Sequence, residues 1–495
     1  MKITKILVAN RGEIALRVLK TAREMGIKVV SIYAEDDKTL PHAMLADESY
    51  SLGSGPLSET YLNQDKIIDI ALKAGANAIH PGYGFLSENA EFATKVEKSG
   101  IIFIGPTPES ITLMGDKSGS KNALEHLNIP MIPGYHGDNQ DEEFLASEAR
   151  KIGFPVLIKA SAGGGGKGMR IVNKEEELLE AIRGAKSEGL KSFSNDRVLV
   201  EKYIVNPRHI EVQLMSDTHG NHLHFWEREC SIQRRYQKIV EETPAPSMSQ
   251  ELREKICQTA VQISSGINYR GAGTVEFILT PNNEFYFLEM NTRLQVEHPV
   301  TEMVTGFDLV RFQIMVAAGE KLPVKQSDIK QKGHAIECRI YAEDPDQNFM
   351  PSIGRIEKIG APTLRDTRLD CGFNDGAEVG VNYDPMLAKL IVWGEDRKTS
   401  TKKTIQSLDE VLFLGVKTNR DYLKRILSHS AYIEGKTHTH FIPQYEADLK
   451  PKSFTDDNIA DLIAAFSLQV VSRQTNSGVR IERSTPWTTL TGFRN

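Results

Sequence analysis

Residues 273–298 read GTVEFILTPNNEFYFLEMNTRLQVEH. Two runs rich in β-forming residues flank Asn282-Asn283, a pair that tolerates the positive φ of a tight hairpin turn. A two-residue turn there places Glu276 directly opposite Glu289. Side chains alternate along a strand, so Asn291 shares their face, and in extended form Arg293, Gln295 and Glu297 follow on it. Facing carboxylates destabilise a hairpin. A hard divalent cation removes that penalty, because Mg²⁺ binds through one or two carboxylates together with substrate phosphates. The competing reading is an amphipathic hairpin whose polar face is simply solvated. Acid, amide, guanidinium and acid in strict alternation favour a site.

Outward from the hairpin, the N-terminal segment alternates strand and helix. KILVAN, GEIALRVLKTAREMG and KVVSIY form strand, helix and strand, and helices near Leu62–Ala74 and Glu88–Ser99 alternate with strands at Ala78–His80 and IIFIG. That rhythm specifies an α/β domain with a parallel sheet. Its first turn, Asn-Arg-Gly-Glu, lacks GxGxxG, which weakens a dehydrogenase reading. The turn HPGYGFLSEN (His80 to Asn89) holds two glycines where the backbone approaches a neighbour closely, and Ser87 is placed to cap the helix behind it. An ordinary strand-to-helix turn explains it as well.

After a hinge-like stretch near Pro130, FPVLIKASAGGGGKGMRIV sets Lys159 on a strand ahead of Gly163, Gly164, Gly165, Gly166 and Gly168. Adjacent glycines allow backbone N–H groups to wrap a polyphosphate, though no GK[ST] opens a helix as in a P-loop. A flexible hairpin tip is the alternative. Lys159 and the strand VLVEKYI favour a nucleotide lid, mobile until ligand orders it, with Glu201, Lys202 and the Ile204 backbone where an adenine edge is read. Arg234, Arg235 and Lys238 form the densest cationic group near the hairpin, or else a solvated face. From Ala335 an all-strand rhythm begins, with Glu337 and Arg339 on one face of its first strand.

With 495 residues, 40% apolar and 25% charged, the chain is an ordinary multidomain globular protein. A net charge of −6 argues against nucleic acid or an anionic membrane as the main partner. No stretch approaches the roughly 20 apolar residues of a membrane helix. The start does not read as a signal peptide. Cys230, Cys257, Cys338 and Cys371 lack metal-binding spacing and read as reduced, mostly buried thiols of a cytoplasmic protein.

The motifs NRGEIA (Asn10 to Ala15), HPGYGFLSEN, GGGGKGM, ERECSIQRR, EMNTRLQVEHPVTE and GHAIECRIYAEDP together resemble those of biotin carboxylases, the ATP-grasp subunits of biotin-dependent acyl-CoA carboxylases. The resemblance implies an α/β protein in four parts: an N-terminal parallel-sheet domain (1–115), an ATP-grasp domain (116–320, its glycine-rich lid 131–203), a β-rich C-terminal domain (335–445) and a tail (446–495). It implies that ATP and bicarbonate give carboxyphosphate and ADP, and that the carboxyl group moves to N1′ of biotin. By the same resemblance Lys117, Lys159, Glu201, Lys202, His209 and Gln233 contact the nucleotide beside the glycine loop. Glu276, Glu289 and Asn291 hold Mg²⁺ or Mn²⁺, and Lys238, Arg293, Gln295 and Val296 form the bicarbonate pocket. Glu297 is the general base and Arg339 steadies the biotin enolate. Position 236, often histidine in the family, is Tyr236 here, which will not carry charge near neutral pH.

The implied partners are a biotin carboxyl carrier protein and carboxyltransferase subunits, in a homo-oligomeric enzyme. The leading reading is an acyl-CoA carboxylase of the acetyl-CoA type, acting on acetyl-CoA or a related acyl-CoA such as propionyl- or methylcrotonyl-CoA. The alternative is a split pyruvate carboxylase, and nothing in the chain reads the acceptor. An inactive ATP-grasp regulatory protein would have lost Glu276, Glu289, Arg293, Glu297 or Arg339, and all five are present. No Met-Lys-Met of the biotin-bearing type occurs in the sequence, so biotin is expected on a separate protein. Ile459, Leu462, Ile463, Phe466 and Val470 lie on one face of a helix, expected either to dock that partner or to pack on its own core.

Overall fold

Short apolar strands joined by amphipathic helices build the N-terminal layer: β1 (Lys5–Val8), α1 (Gly12–Glu24), β2 (Lys28–Ala34), β3 (Glu48–Gly53), α2 (Gln64–Lys73), β4 (Ala78–His80), α3 (Ala90–Lys98) and β5 (Ile102–Phe103). The five strands are parallel in the order β3-β2-β1-β4-β5, as the alternation predicts. The computed structural model describes residues 2–161, 168–193 and 195–451. Gly163, Gly164, Gly165, Gly166 and the amphipathic segment 459–470 lie outside the described residues, and of Lys117 only the backbone is described. Among the described residues no helix is long and apolar enough to cross a membrane.

α1 buries Ile14, Ala15, Val18, Leu19 and Ala22, a stripe at helical spacing. These residues share one core with Leu309, Val310 and Phe312 and with Met215, Leu223 and Phe225 of the central sheet. The cap of α3 is Asn89, whose side chain accepts from the Phe92 N–H at 2.8 Å. Ser87, expected to cap it, is buried with an unpartnered hydroxyl. Asx at the residue adjoining the helix satisfies the orphan N–H more directly than a serine two positions earlier. The close approach expected at HPGYGF is real: Gly82 has φ +66°, and a Cβ there would lie 2.9 Å from Asn10 Nδ2.

A four-stranded antiparallel layer follows, in the order β6 (Gly134–Tyr135), β9 (Val198–Lys202), β7 (Val156–Ala160), β8 (Met169–Val172). α4 (Lys117–Leu124) precedes it, and α5 (Glu142–Ile152) and α6 (Leu178–Phe193) cover it. Its core unites Leu145, Ala146, Ala149, Ile182 and Ala185 of the helices with Val156, Ile158, Val198 and Val200 of the strands.

The third layer is an eight-stranded sheet. Its strands are β10 (Arg208–Ser216), β11 (His222–Arg234), β12 (Gln237–Thr243), β13 (Gly271–Leu279), β14 (Phe285–Asn291), β15 (His334–Tyr341), β16 (Thr367–Cys371) and β17 (Met386–Gly394). They run in the order β14-β13-β10-β11-β12-β15-β17-β16. β15, β16 and β17 therefore continue the sheet that holds the hairpin, through the β12–β15 pairing of Glu241 with Glu337, while the short strands between and after them form separate two-stranded sheets. α7 (Gln250–Gly266) lies against this sheet, with Ile256, Ala260 and Ile263 packed on Ile210, Val212 and Val275.

Candidate active site

Glu276 and Glu289 do face each other, but the hairpin differs from the expected one in two places. The connection is a three-residue loop, Pro281-Asn282-Asn283. It is closed by the Thr280 N–H bond to the Glu284 carbonyl, with Asn283 at φ +64°. A bulge then leaves Leu288 unpaired between Phe277–Phe287 and Glu276–Glu289. Loop and bulge offset the register by one residue each and in opposite senses, so the expected pair is restored. The strand also stops at Asn291 rather than running on to Glu297. Pro299, in the first turn of α8 (His298–Thr305), presets helical φ, and Glu297 is the residue before that helix.

The cross-strand pairing sets Arg228 beside Glu211, Glu211 beside Glu276 and Glu276 beside Glu289, one polar row across four strands. Lys238, from the start of β12, inserts its ammonium among three carboxylates. It lies 2.5 Å from Glu211 Oε2, 2.8 Å from Glu276 Oε1 and 2.8 Å from Glu297 Oε1. Burial alone would neutralise it, but these three acids hold its pKa well above the usual lysine value, so it is an ammonium. Glu276 also accepts from Asn291 Nδ2 at 2.9 Å, and His209 Nε2 lies 3.0 Å from its other oxygen. The Gln233 amide donates to His209 Nδ1 at 2.9 Å. Glu297 is fully buried, and Arg339 Nη2 reaches its Oε2 at 3.0 Å while Arg339 Nε donates to Glu241 at 2.6 Å. Burial would raise the Glu297 pKa, but Lys238 first, then Arg339 and Arg228, hold it well below the carboxylate range.

Arg293 leaves this cluster for the N-terminal layer: its Nε donates to Glu88 at 2.8 Å, and its Nη1 donates to Gln295 Oε1 at 3.0 Å. In the lid layer the Lys159 ammonium lies 2.6 Å from Glu201, which also receives Lys121. These cations lower the Glu201 pKa to about 2 against the opposing effect of burial. The Lys202 ammonium is taken up by the carbonyls of Gly153 and Phe154, at 3.0 and 2.9 Å. Ile204 follows the end of that strand. Arg234 is not a solvated cation: it pairs with Glu343 at 2.7 Å and covers the Phe349 ring at 4.1 Å. Arg235 and Tyr236 are exposed in a turn with φ of +50° and +67°.

Glu276, Glu289 and Asn291 supply two carboxylates and an amide oxygen, a hard-oxygen set suited to Mg²⁺ or Mn²⁺. Asn291 now turns its Nδ2 to Glu276, so serving as a ligand requires its amide to flip. Three residues of the cluster are absent from the sequence expectations: Glu211, Arg228 and Glu241. His209, Glu211 and Gln213 alternate along β10 and could have been read as a polar face. Arg228 and Glu241 become visible only through pairing.

An antiparallel sheet carrying an acidic row, with a separate four-stranded antiparallel layer that contributes Lys159 and Glu201, is the architecture of an ATP-grasp ligase. Residues 2–111 match the N-terminal domain of biotin carboxylase, 116–325 the ATP-binding domain of the carbamoyl-phosphate synthase L chain, and 337–444 the biotin carboxylase C-terminal domain. The α subunit of mitochondrial methylcrotonoyl-CoA carboxylase from Dictyostelium discoideum is 50% identical over 495 residues, 99% of this chain and 70% of that one. The biotin carboxylase of Allochromatium vinosum is 49% identical over 441 residues, 89% and 98% of the two chains. The biotin carboxylase domain of Hydrogenobacter thermophilus 2-oxoglutarate carboxylase was solved with MgADP, ADP and bicarbonate. It superposes with a TM-score of 0.88 at 45% identity, covering 92% of this chain and 100% of that one. The chain belongs to the biotin carboxylase family and is an ATP-dependent carboxylase.

Proposed function

We propose that this chain carboxylates biotin presented on a carrier protein, using bicarbonate and ATP through carboxyphosphate. The observation that carries this assignment of roles is the position of Glu297, held at once by Lys238 at 2.8 Å and by Arg339 at 3.0 Å. In this reading Lys117, Lys159, Gly163, Gly164, Gly165, Gly166, Glu201, Lys202, Ile204, His209 and Gln233 hold the nucleotide. Glu276, Glu289 and Asn291 would hold Mg²⁺ or Mn²⁺, which supplies charge neutralisation on the polyphosphate. Lys238, Arg293, Gln295 and the Val296 backbone hold bicarbonate, whose planar anion suits the Arg293 fork.

Glu297 takes the proton from the bicarbonate hydroxyl as the oxygen attacks the γ-phosphorus and ADP departs. With both cations on it, Glu297 is a weak base. Transfer of Lys238 to bicarbonate and of Arg339 to the ureido oxygen of biotin restores its basicity at the moment it is needed. The carboxyl–phosphate bond then breaks and the departing phosphate takes the N1′ proton, while Arg339, which cannot deprotonate, steadies the resulting enolate as N1′ bonds to the carboxyl carbon. Mg²⁺-dependent ATP cleavage that requires bicarbonate and rises with free biotin tests this reading. Cleavage indifferent to both would end it.

The proposed acceptor is methylcrotonoyl-CoA, reached through a carboxyltransferase partner in a homo-oligomeric cytoplasmic enzyme. The similarity to the methylcrotonoyl-CoA carboxylase subunit extends over 495 residues, beyond the 441 shared with the A. vinosum protein. A reducing compartment suits four cysteines that are all free thiols. Transfer of labelled carboxyl from biotin to methylcrotonoyl-CoA in the presence of its carboxyltransferase checks the acceptor. Transfer to acetyl-CoA, propionyl-CoA or pyruvate instead replaces it.

A further inference from the structure

Lys389, in the middle of β17, is completely buried. Removing an ammonium from water costs several kcal/mol unless fixed partners compensate. Its Nζ donates to the carbonyl of Val296 at 2.9 Å, lies 3.2 Å from Glu13 Oε2 and 5.8 Å from the centre of the Tyr83 ring. Asp370, opposite it on β16, stays 4.0 Å away and is occupied by Arg368.

Glu13 and Tyr83 lie in motifs that the reaction itself left without a role. Glu13 belongs to NRGEIA at the start of α1, and Tyr83 to HPGYGFLSEN. The neighbour Asn10 fixes that second turn by donating to the carbonyls of Pro81 and Tyr83, at 2.7 and 2.8 Å. Gly372, just past β16, presses on the same corner: a Cβ there would stand 2.7 Å from the Glu13 nitrogen. Residues 292–297 lie between β14 and α8 and carry no ladder hydrogen bonds, so the Val296 carbonyl has no partner from regular structure. The ammonium supplies one.

We propose that Lys389 is the positioning residue of the bicarbonate pocket. It draws the Val296 carbonyl toward β17 and thereby fixes the turn that presents Gln295, Val296 and Glu297, while Glu13 and the Tyr83 ring hold the ammonium in place. This rests on the assignment of those three residues to bicarbonate. Lys389 touches no reacting atom. Its effect is on where the pocket stands, so it acts on bicarbonate affinity and leaves the nucleotide side, built on the lid and β10–β13, alone.

The test is steady-state kinetics of Lys389→Met in the full chain. The KM for bicarbonate is expected to rise by roughly tenfold or more, the effect of one lost hydrogen bond from a charged donor. KM for ATP and kcat at saturating bicarbonate are expected to stay within about threefold on the same argument. A merely structural lysine would lower the active fraction with both KM values unchanged. Lys389→Met alone leaves Glu13 buried without its cation and could fail to fold. Glu13→Leu/Lys389→Met replaces the pair with apolar groups, a change that buried ion pairs often tolerate. The double variant still lacks the donor to Val296, so its bicarbonate KM must rise as well. An unchanged bicarbonate KM in either folded variant, or an equal rise in both KM values, overturns the proposal. Wild-type ATP cleavage that ignores bicarbonate would instead remove the site assignment on which it rests.

Discussion

Arg339, on β15, and Glu297, just before α8, share a buried ion pair, Nη2 to Oε2 at 3.0 Å. One residue is assigned to the deprotonation of bicarbonate and the other to the acceptance of the carboxyl group by biotin. Their contact joins the two half-reactions in one hydrogen bond, and Lys238 extends the chain to Glu276. Replacing Arg339 therefore separates the half-reactions, whereas replacing Glu297 stops the first and with it the second.

Arg339→Ala is expected to retain much of the bicarbonate-dependent ATP cleavage and to lose biotin carboxylation, because the enolate is left without its cation. Parallel assays of phosphate release and carboxybiotin formation check this. Equal loss in both would assign Arg339 to the first step or to the fold.

Glu297→Gln keeps the shape of the side chain and its amide oxygen can still accept from Lys238. Bicarbonate-dependent turnover is expected to fall by at least ~10²-fold, the effect of a positioned general base, while ATP binding persists. Nucleotide titration alongside turnover measures both. Weakened ATP binding with turnover intact would contradict the assigned role.

Much of this site was legible because the chemistry follows strand alternation. Glu276, Glu289 and Asn291 were placed on one face by period-two counting, and the pairing holds although a longer loop and the Leu288 bulge each shift the register. That agreement depends on two local features that sequence counting did not resolve. Glu297 was assigned to the right cluster through the wrong backbone: it arrives by a turn that Pro299 commits to helix, not by continued extension. Arg228, Glu241 and Lys389 were not legible as site neighbours. Arg228 and Glu241 sit among other charged residues that give no sign of which one faces the site. Lys389 is a single charge within an apolar strand, and its contact to Val296 appears only once β12, β15 and β17 pair. The cation group at 234–238 divided for a similar reason. Arg234 found Glu343 and Phe349 from a distant segment, whereas Lys238 alone points into the acidic row.

Glu289 is half-buried at the rim of the row, unlike the enclosed Glu276. Glu289→Gln is expected to raise the Mg²⁺ concentration for half-maximal ATP cleavage by roughly tenfold or more, since even outer partners of a metal ligand change affinity by that much. Thermal unfolding without added metal should change little. A Mg²⁺ titration of turnover decides the matter, and an unchanged midpoint would remove Glu289 from the ligand set.

Away from the chemistry, Glu242 joins three elements. Its Oε2 accepts from Arg397 Nε at 2.6 Å and from His334 Nε2 at 2.8 Å, and its Oε1 accepts from Arg397 Nη2 at 3.0 Å. Burial would raise its pKa, but the His334 hydrogen bond and then Arg397 bring it down to about 2. In the unfolded chain a glutamate titrates at about 4.3, so between these values the unfolded state binds the extra proton. Stability from this carboxylate is therefore complete above pH ~4.3 and lost as pH falls toward ~2. Glu242→Gln is expected to lower stability at pH 7 by about 3 kcal/mol, the scale for breaking a buried ion pair. The gap between wild type and variant should then narrow steadily as the buffer is taken from pH 5 to pH 3. Urea midpoints measured across that range test the claim. A gap that stays constant would show that Glu242 is not the ionised centre of this junction.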